Sequence, residues 1–209
     1  NSISIISKIM SNNKNNKLDD LSLKNIKVIN KCAEDLTELI NDILDISKIE
    51  ADALNIYKNN ISLKKLIEEL YDLFTPISQN KNIEFINNFQ IINDNIFTDE
   101  QRTKQIIKNL VSNAIKFTNE GKVEILSKEF DEYYEISIID SGIGIAENNL
   151  NYIFDRFKQV DSMGKKHQGT GLGLAISKHL ASLLNGYICV TSEMGVGSIF
   201  RYVIYKKSN

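Results

Sequence analysis

The distribution of glycine and proline divides this chain more sharply than any other sequence feature. All ten glycines and the single proline, Pro76, lie after residue 56 of the 209 residues. Because glycine and proline interrupt helices, the first 56 residues predict helix, and the rest predicts strands, turns and shorter helices. We therefore expect two domains, at residues 1–56 and 57–209.

The first region predicts a helical hairpin, with a polar turn at residues 12–17 and a long second helix over about residues 18–56. Its apolar residues recur every three or four positions in two stripes, which are Ile26, Ile29, Ala33, Leu36, Ile40 and Ile43, and Cys32, Leu39 and Ile46. This spacing is typical of helical bundles and coiled coils. The short first helix cannot cover so long a stripe, so we expect a homodimer through residues 1–56. A long helix folded back on the second domain is the alternative.

The second region alternates between strand and helix patterns. We predict helices at residues 62–80, 100–117 and 172–184, and strands at 84–89, 95–97, 122–130, 133–139, 187–192 and 198–205. A mixed sheet with helices on one face follows, which is an α+β sandwich.

Composition argues against several functional classes. Lys and Arg total 25 against 27 for Asp and Glu, so the net charge of −2 disfavours a nucleic-acid partner. Two cysteines, Cys32 and Cys189, provide neither a disulfide framework nor a metal cluster. No apolar run reaches the ~18–20 residues of a membrane span.

The predicted helix at 100–117 carries a polar face, formed by Arg102, Gln105, Asn109, Ser112, Asn113 and Lys116. Two asparagines four residues apart place carboxamide oxygens together, and such an oxygen is a plausible ligand for Mg²⁺ that shares nucleotide phosphates. A lysine at the same end of the helix could meet those phosphates. A solvent-facing surface is the alternative interpretation.

A carboxylate, Asp140, ends an apolar strand and precedes Ser141-Gly142-Ile143-Gly144-Ile145. Burying a carboxylate is costly unless it gains hydrogen-bond donors. The exocyclic amine of adenine is such a donor, whereas guanine presents a carbonyl there. The two glycines allow backbone to approach a flat base. An ordinary turn is the alternative.

A glycine-rich turn, Gly169-Thr170-Gly171-Leu172-Gly173-Leu174, opens the last predicted helix. Free amides and the positive dipole end at a helix N-terminus favour phosphate binding. The segment before it is polar and not a strand, so a dinucleotide-binding fold is excluded, and no P-loop motif occurs. Lys165, Lys166 and His167 could form a basic lid over phosphates, or simply a solvated loop.

These motifs together resemble the sensor histidine kinases of two-component systems. Residues 109–118 resemble the asparagine box of that family, 140–145 its first glycine box, 154–161 its phenylalanine box, 169–174 its second glycine box and 195–200 its last. Residues 39–51 resemble the end of its dimerisation hairpin. The sequence around the phenylalanine and second glycine boxes most resembles that of hybrid kinases, which often carry receiver domains.

The resemblance implies a Bergerat-type ATP-binding sandwich with defined roles for these residues. Asp140 would receive the adenine amine, Asn113 would hold Mg²⁺ with Asn109 beside it, and Lys116 would meet the phosphates. Phe157 would help to anchor the lid, and Ser198 would lie near the base; it replaces a threonine that is common in the family. The implied ATP-binding set also includes Phe117, Gly142, Gly144, Ile145, Lys165, Lys166, Gly169, Thr170, Gly171, Leu172, Gly173 and Leu174.

The implied activity is transfer of the γ-phosphoryl group of ATP to a histidine, for relay to an aspartate of a response-regulator receiver domain. Asn109 and Lys116 would be the catalytic residues. Hydrolytic relatives of the same fold carry a glutamate where this chain has Asn109, and an amide cannot take a proton from water. An ATPase of this fold and a degenerate ATP-binding adaptor are the alternatives.

The sequence departs from the family at the phosphoacceptor. Residues 1–6 resemble the stretch just after the acceptor histidine, and neither His167 nor His179 stands at the acceptor position. We expect a fragment truncated after that histidine, which binds ATP but does not phosphorylate itself. The resemblance also implies the cytoplasmic portion of a membrane-associated sensor, attached only through parts outside this sequence.

Overall fold

The computed structural model describes residues 19–158 and 170–206, together with Ile3, Ile5, Ile6 and Met10. The chain divides into two compact units, Asn1–Leu54 and Asn55–Asn209. The predicted domain boundary lies two residues further along the chain. The predicted turn at residues 12–17 falls outside the described residues.

The first unit contains a long helix, α1 (Asp20–Glu50). It begins at the N-cap Asp19, whose carboxylate accepts a hydrogen bond from the Ser22 amide at 2.8 Å. The prediction that this helix continues to residue 56 is wrong. The chain leaves the helix at Asp52, whose φ is +50°, and the Ala53 amide donates back to the Lys48 carbonyl at 2.8 Å. Aspartate tolerates this left-handed conformation, so the helix ends without a glycine to mark it.

The predicted apolar stripe on α1 is only partly covered within one chain. Ile26 and Ala33 are buried, whereas Ile29, Leu36, Ile40 and Ile43 are 46–57% exposed. A single chain therefore leaves much of this stripe in contact with water.

The second unit contains seven strands and four helices within its described part. In chain order they are β1 (Asn59–Ser62), α2 (Leu63–Asn80), β2 (Ile83–Phe89), β3 (Asn95–Thr98), α3 (Glu100–Phe117), β4 (Gly121–Glu129), β5 (Tyr133–Asp140), α4 (Glu147–Leu150), α5 (Gly173–Leu183), β6 (Gly186–Glu193) and β7 (Gly197–Tyr205). Strand β1 and helix α4, each of four residues, were not predicted.

The main sheet has the strand order β2-β4-β5-β7-β6, with only β2 and β4 parallel. Strands β1 and β3 form a separate antiparallel pair. Side chains on one face of the sheet, such as Ile125 and Ile138, are fully buried. Helix α3 packs on β4, β5 and β7, and its Ile106 and Leu110 are fully buried as well. The predicted α+β sandwich is confirmed. Among the described residues, no helix is long and apolar enough to cross a bilayer.

Candidate functional site

Helix α3 has the predicted bounds, Glu100–Phe117, and begins at the N-cap Asp99. The Asp99 carboxylate accepts a hydrogen bond from the Arg102 amide at 3.0 Å, which gives a partner to one of the free amides in the first turn. The apolar face of α3 is buried against the sheet. The predicted polar face therefore points away from the core, and Asn109, Asn113 and Lys116 are half-buried on it.

Asp140 is the last residue of β5 and is only 8% exposed. It pairs with Ser198 of β7, and its Oδ1 accepts the Gly142 amide at 2.8 Å. Burial raises the pKa of this carboxyl, against smaller opposite effects of hydrogen bonds from Gly142 and Ser198. The ionised form would therefore gain from a further donor, such as an exocyclic amine.

The loop after Asp140 lies against the end of α3. The Ile143 amide donates to the Phe117 carbonyl at 3.3 Å. A Cβ at Gly142 would lie 2.6 Å from that same carbonyl oxygen and 2.8 Å from Asp140 Oδ1. Only glycine fits here, and the close approach brings Asp140 to the helix end that carries Lys116 and Phe117.

The same loop is fixed on its other side by the β6–β7 hairpin. Gly144 has a φ of +69°, and a side chain there would overlap the Glu193 carbonyl. The Gly195 amide donates to the Ile143 carbonyl at 2.8 Å. The first and last predicted glycine boxes therefore meet in space.

Ser192, which sequence analysis missed, joins the hairpin to this loop. Its Oγ accepts the Ile145 amide at 2.8 Å, donates to the Gly197 carbonyl at 2.8 Å, and lies 3.0 Å from Ser198 Oγ. A single serine in a predicted strand gives no sequence signal. Ser192 thus holds Ile145 and the buried Ser198 on the same side as Asp140.

Asn109 is held by α5. Its Nδ2 donates to Ser177 Oγ at 2.9 Å, and a Cβ at Gly173 would overlap its Oδ1. Ser177 is buried and was also missed, since it follows the apolar pattern of its helix. This contact brings the second glycine-rich turn to the polar face of α3.

The described part of that turn is tied to the phenylalanine box. The Phe157 amide donates to the Gly171 carbonyl at 3.0 Å, while Phe157 as a residue is 68% exposed. The Leu172 amide donates to Thr170 Oγ1 at 3.1 Å. Leu172 is buried, and Leu174 is half-buried in the first turn of α5. Lys165, Lys166, His167 and Gly169 lie outside the described residues.

Lys116 lies in the last turn of α3, on its polar face. Burial lowers the pKa of its ammonium group, which lies 4.9 Å from the centre of the Phe117 ring. Within residues 19–158 and 170–206, no three His, Cys, Asp or Glu side chains are grouped to hold a metal. Any Mg²⁺ here would rest on the amide oxygen of Asn113 and on phosphate oxygens, a donor set that suits this ion.

Comparison with known proteins identifies the family. The family described as "Histidine kinase-, DNA gyrase B-, and HSP90-like ATPase" matches residues 98–208. The autoinducer 2 sensor kinase/phosphatase LuxQ of Vibrio vulnificus (strain YJ016) is 37% identical over 190 residues, which cover 87% of this chain and 22% of LuxQ. This chain therefore spans about a fifth of that relative.

Several solved structures are similar over 99% of this chain. Full-length ShkA in complex with AMPPNP has a TM-score of 0.80 and 26% identity, with 43% of its chain covered. Histidine kinase ThkA in complex with the response regulator protein TrrA has a TM-score of 0.70 and 27% identity, with 58% covered. The chain thus belongs to the histidine kinase-, DNA gyrase B- and HSP90-like ATPase family and carries an ATPase domain of the kind found in sensor histidine kinases.

Proposed function

We propose that this chain is the catalytic core of a two-component sensor histidine kinase. It binds ATP with Mg²⁺ and presents the γ-phosphoryl group to a histidine, for relay to a response-regulator aspartate. The observation that carries the proposal is the buried Asp140 carboxylate, beside a glycine that admits no side chain. We further propose that this core acts in the cytoplasm and that any membrane attachment of the whole protein lies outside these residues.

The adenine end of the proposed site is formed by Asp140, the loop that follows it and Ser198. The carboxylate accepts a hydrogen bond from the exocyclic amine, and the glycines at 142 and 144 let the backbone approach the ring. Because guanine has a carbonyl in place of that amine, it would face the carboxylate oxygen with a second acceptor. The site therefore selects adenine.

The phosphate end is formed by Asn113, Lys116 and the turn through Gly171 and Leu174. Mg²⁺, when bound, neutralises charge on the phosphates. In the transfer step, an imidazole nitrogen of the acceptor histidine attacks the γ-phosphorus, the bond to the bridging oxygen breaks, and ADP leaves. The chain's own contribution is to bind and orient the triphosphate, and Lys116 offsets charge on its oxygens.

The contact of Asn109 with α5 favours a kinase over an ATPase. Its amide is engaged by Ser177 at 2.9 Å, and an amide has no basic group that could activate water. The nucleophile must then come from another protein group. The solved complex of histidine kinase ThkA with a response regulator supports a kinase role, and the complex of ShkA with AMPPNP supports binding of ATP.

Calorimetric titration with nucleotides tests the proposed function. We expect ATP with Mg²⁺ to bind, and GTP to bind at least about 100-fold more weakly, because a polar site rejects an analogue that leaves its buried group unpaired. Steady-state hydrolysis of ATP should stay near the uncatalysed background. Equal binding of both nucleotides would contradict adenine recognition, absence of ATP binding would overturn the proposal, and rapid hydrolysis would favour an ATPase.

We also propose that residues 1–56 form a homodimer interface and residues 57–209 the ATP-binding domain. The half-exposed residues Ile29, Leu36, Ile40 and Ile43 on α1 support this, since a second copy would cover them. Leu36→Glu should therefore convert the dimer to monomer in sedimentation equilibrium, because it buries a charge in the seam. Asn41→Glu is the matched control, since Asn41 is exposed on a face of α1 away from both apolar stripes. An unchanged dimer in the Leu36 variant would refute this interface.

A further inference from the structure

Each carbonyl group in the last turn of α3 accepts a hydrogen bond. The Ala114 carbonyl accepts from the Thr118 amide at 3.0 Å, and the Phe117 carbonyl accepts from the Ile143 amide at 3.3 Å. The remaining two belong to Ile115 and Lys116. They accept from the Lys81 ammonium group at 2.7 and 3.3 Å, and the Thr118 carbonyl accepts from it at 3.2 Å. The bond from Thr118 to Ala114 is the last regular helical one, and the four carbonyls that follow it, at residues 115–118, would normally lack a helical partner.

Lys81 reaches α3 from a different element. It is the C-cap residue of α2, where its backbone amide donates to the Ser78 carbonyl at 3.0 Å. An ammonium group has three N–H donors and no acceptor, so three carbonyls match its capacity. Its positive charge also complements the negative end of the α3 dipole. One side chain thus connects the ends of two helices.

The helix end that Lys81 holds is the end that forms the proposed site. Lys116 follows Ile115 directly, and the Phe117 carbonyl is the contact of the loop that carries Gly142 and Ile143. Without Lys81, the carbonyls of Ile115 and Lys116 would lose their partner while the backbone around Ile115 stays buried. The last turn of α3 would then shift or fray, and the Lys116 side chain and the Asp140 loop would shift with it.

We propose that Lys81 is a positioning residue for nucleotide binding, which acts by fixing the C-terminal end of α3. It does not touch the nucleotide. This inference rests on the proposed function, because it assigns Lys81 to the same ATP site.

The test compares three lysine variants in the intact chain by ATP calorimetry. Lys81→Met should weaken ATP binding about tenfold, the loss expected for charge-assisted hydrogen bonds that hold a site in place. Lys81→Arg keeps the charge and the donors and should recover most of this loss. Lys65→Met, on the exposed face of the same helix, should bind ATP like wild type. If Lys81→Met binds as tightly as wild type, the inference is overturned.

Two further measurements separate positioning from general stability. Ile67→Val removes a methylene group from the buried face of α2 and lowers stability without touching α3's end, so it should leave ATP affinity unchanged. Equal losses in Ile67→Val and Lys81→Met would refute positioning. The ¹⁵N–¹H resonance of Ile143 in the nucleotide-free chain should shift in Lys81→Met but not in Ile67→Val. An unmoved resonance counts against Lys81, whereas a wild-type chain that binds no ATP counts against the proposed function.

Discussion

Asp140→Asn should weaken ATP binding about 100-fold and leave the domain folded. The asparagine oxygen can still accept the Gly142 amide, which bonds Asp140 at 2.8 Å, so the loop keeps its shape. A charge-assisted hydrogen bond to the adenine amine is lost, and the new amide group presents a donor to another donor. Calorimetric titration of ATP measures the affinity. Asp131→Asn, an exposed acid in the β4–β5 turn, is the control and should bind normally.

The same substitution should change how stability depends on pH. Burial raises the pKa of Asp140 in the folded state, so the folded chain holds its proton to a higher pH than the unfolded chain does. The contribution of this group to stability is therefore present below the unfolded pKa and is lost as the pH rises through the folded pKa. Asp140→Asn should show no such loss. The unfolding free energy of Asp140→Asn minus that of wild type should therefore increase as the pH rises from the unfolded to the folded pKa of Asp140, and then stay constant.

Nucleotide affinity should have the opposite pH dependence in wild type. The carboxylate must be ionised to accept the amine strongly, so ATP binding should tighten as the pH rises through the folded pKa of Asp140. Urea unfolding and ATP titration over the same pH series provide both curves. Wild-type ATP affinity in Asp140→Asn, or identical pH dependence in both proteins, would contradict the role given to this residue.

Gly144→Ala should be strongly destabilising, at about 3 kcal/mol or more of unfolding free energy. Two costs combine at this position. The backbone has a φ of +69°, and the added methyl group would overlap the Glu193 carbonyl, which belongs to the backbone of β6 and cannot turn away. ATP binding should fall too, since the loop would separate from the hairpin.

Gly195→Ala is the control that measures the cost of a positive φ without any overlap. Gly195 has a φ of +77° in the same hairpin, but no heavy atom lies within 4 Å of an added Cβ. It should therefore cost only about 1 kcal/mol, the usual cost of a left-handed conformation for alanine. Urea unfolding of both variants measures the difference. Similar losses in the two variants would show that contact with Glu193 does not restrict Gly144.

The parts of the fold that the sequence predicted are those with a long period or a distinctive local motif. Helix α3 was predicted residue for residue, because its polar and apolar faces alternate with a clear helical period. Asp140 was identified from a carboxylate at the end of an apolar strand, and it proved buried as that position demands. The end of α1 was missed, because an aspartate at position 52 took a conformation for which glycine is the usual signal.

The residues that connect separate elements could not be predicted from the sequence. Ser192 and Ser177 belong to no motif in the sequence, and their importance comes from partners 47 and 68 positions away. Lys81 resembles any exposed lysine until the fold brings α3 to it. Such contacts depend on tertiary packing, so the spacing of residues along the chain does not predict them.

The position of Asp140 within the sheet has a consequence for how the site responds to thermal fluctuation. Strand β5 is hydrogen-bonded on both sides, to β4 and β7, and its Ile136 and Ile138 are completely buried. Local opening is least frequent in such a central strand and most frequent at exposed segments. Discrimination between bases should therefore persist until the whole domain melts, and any adjustment during turnover must come from the surface that faces the triphosphate.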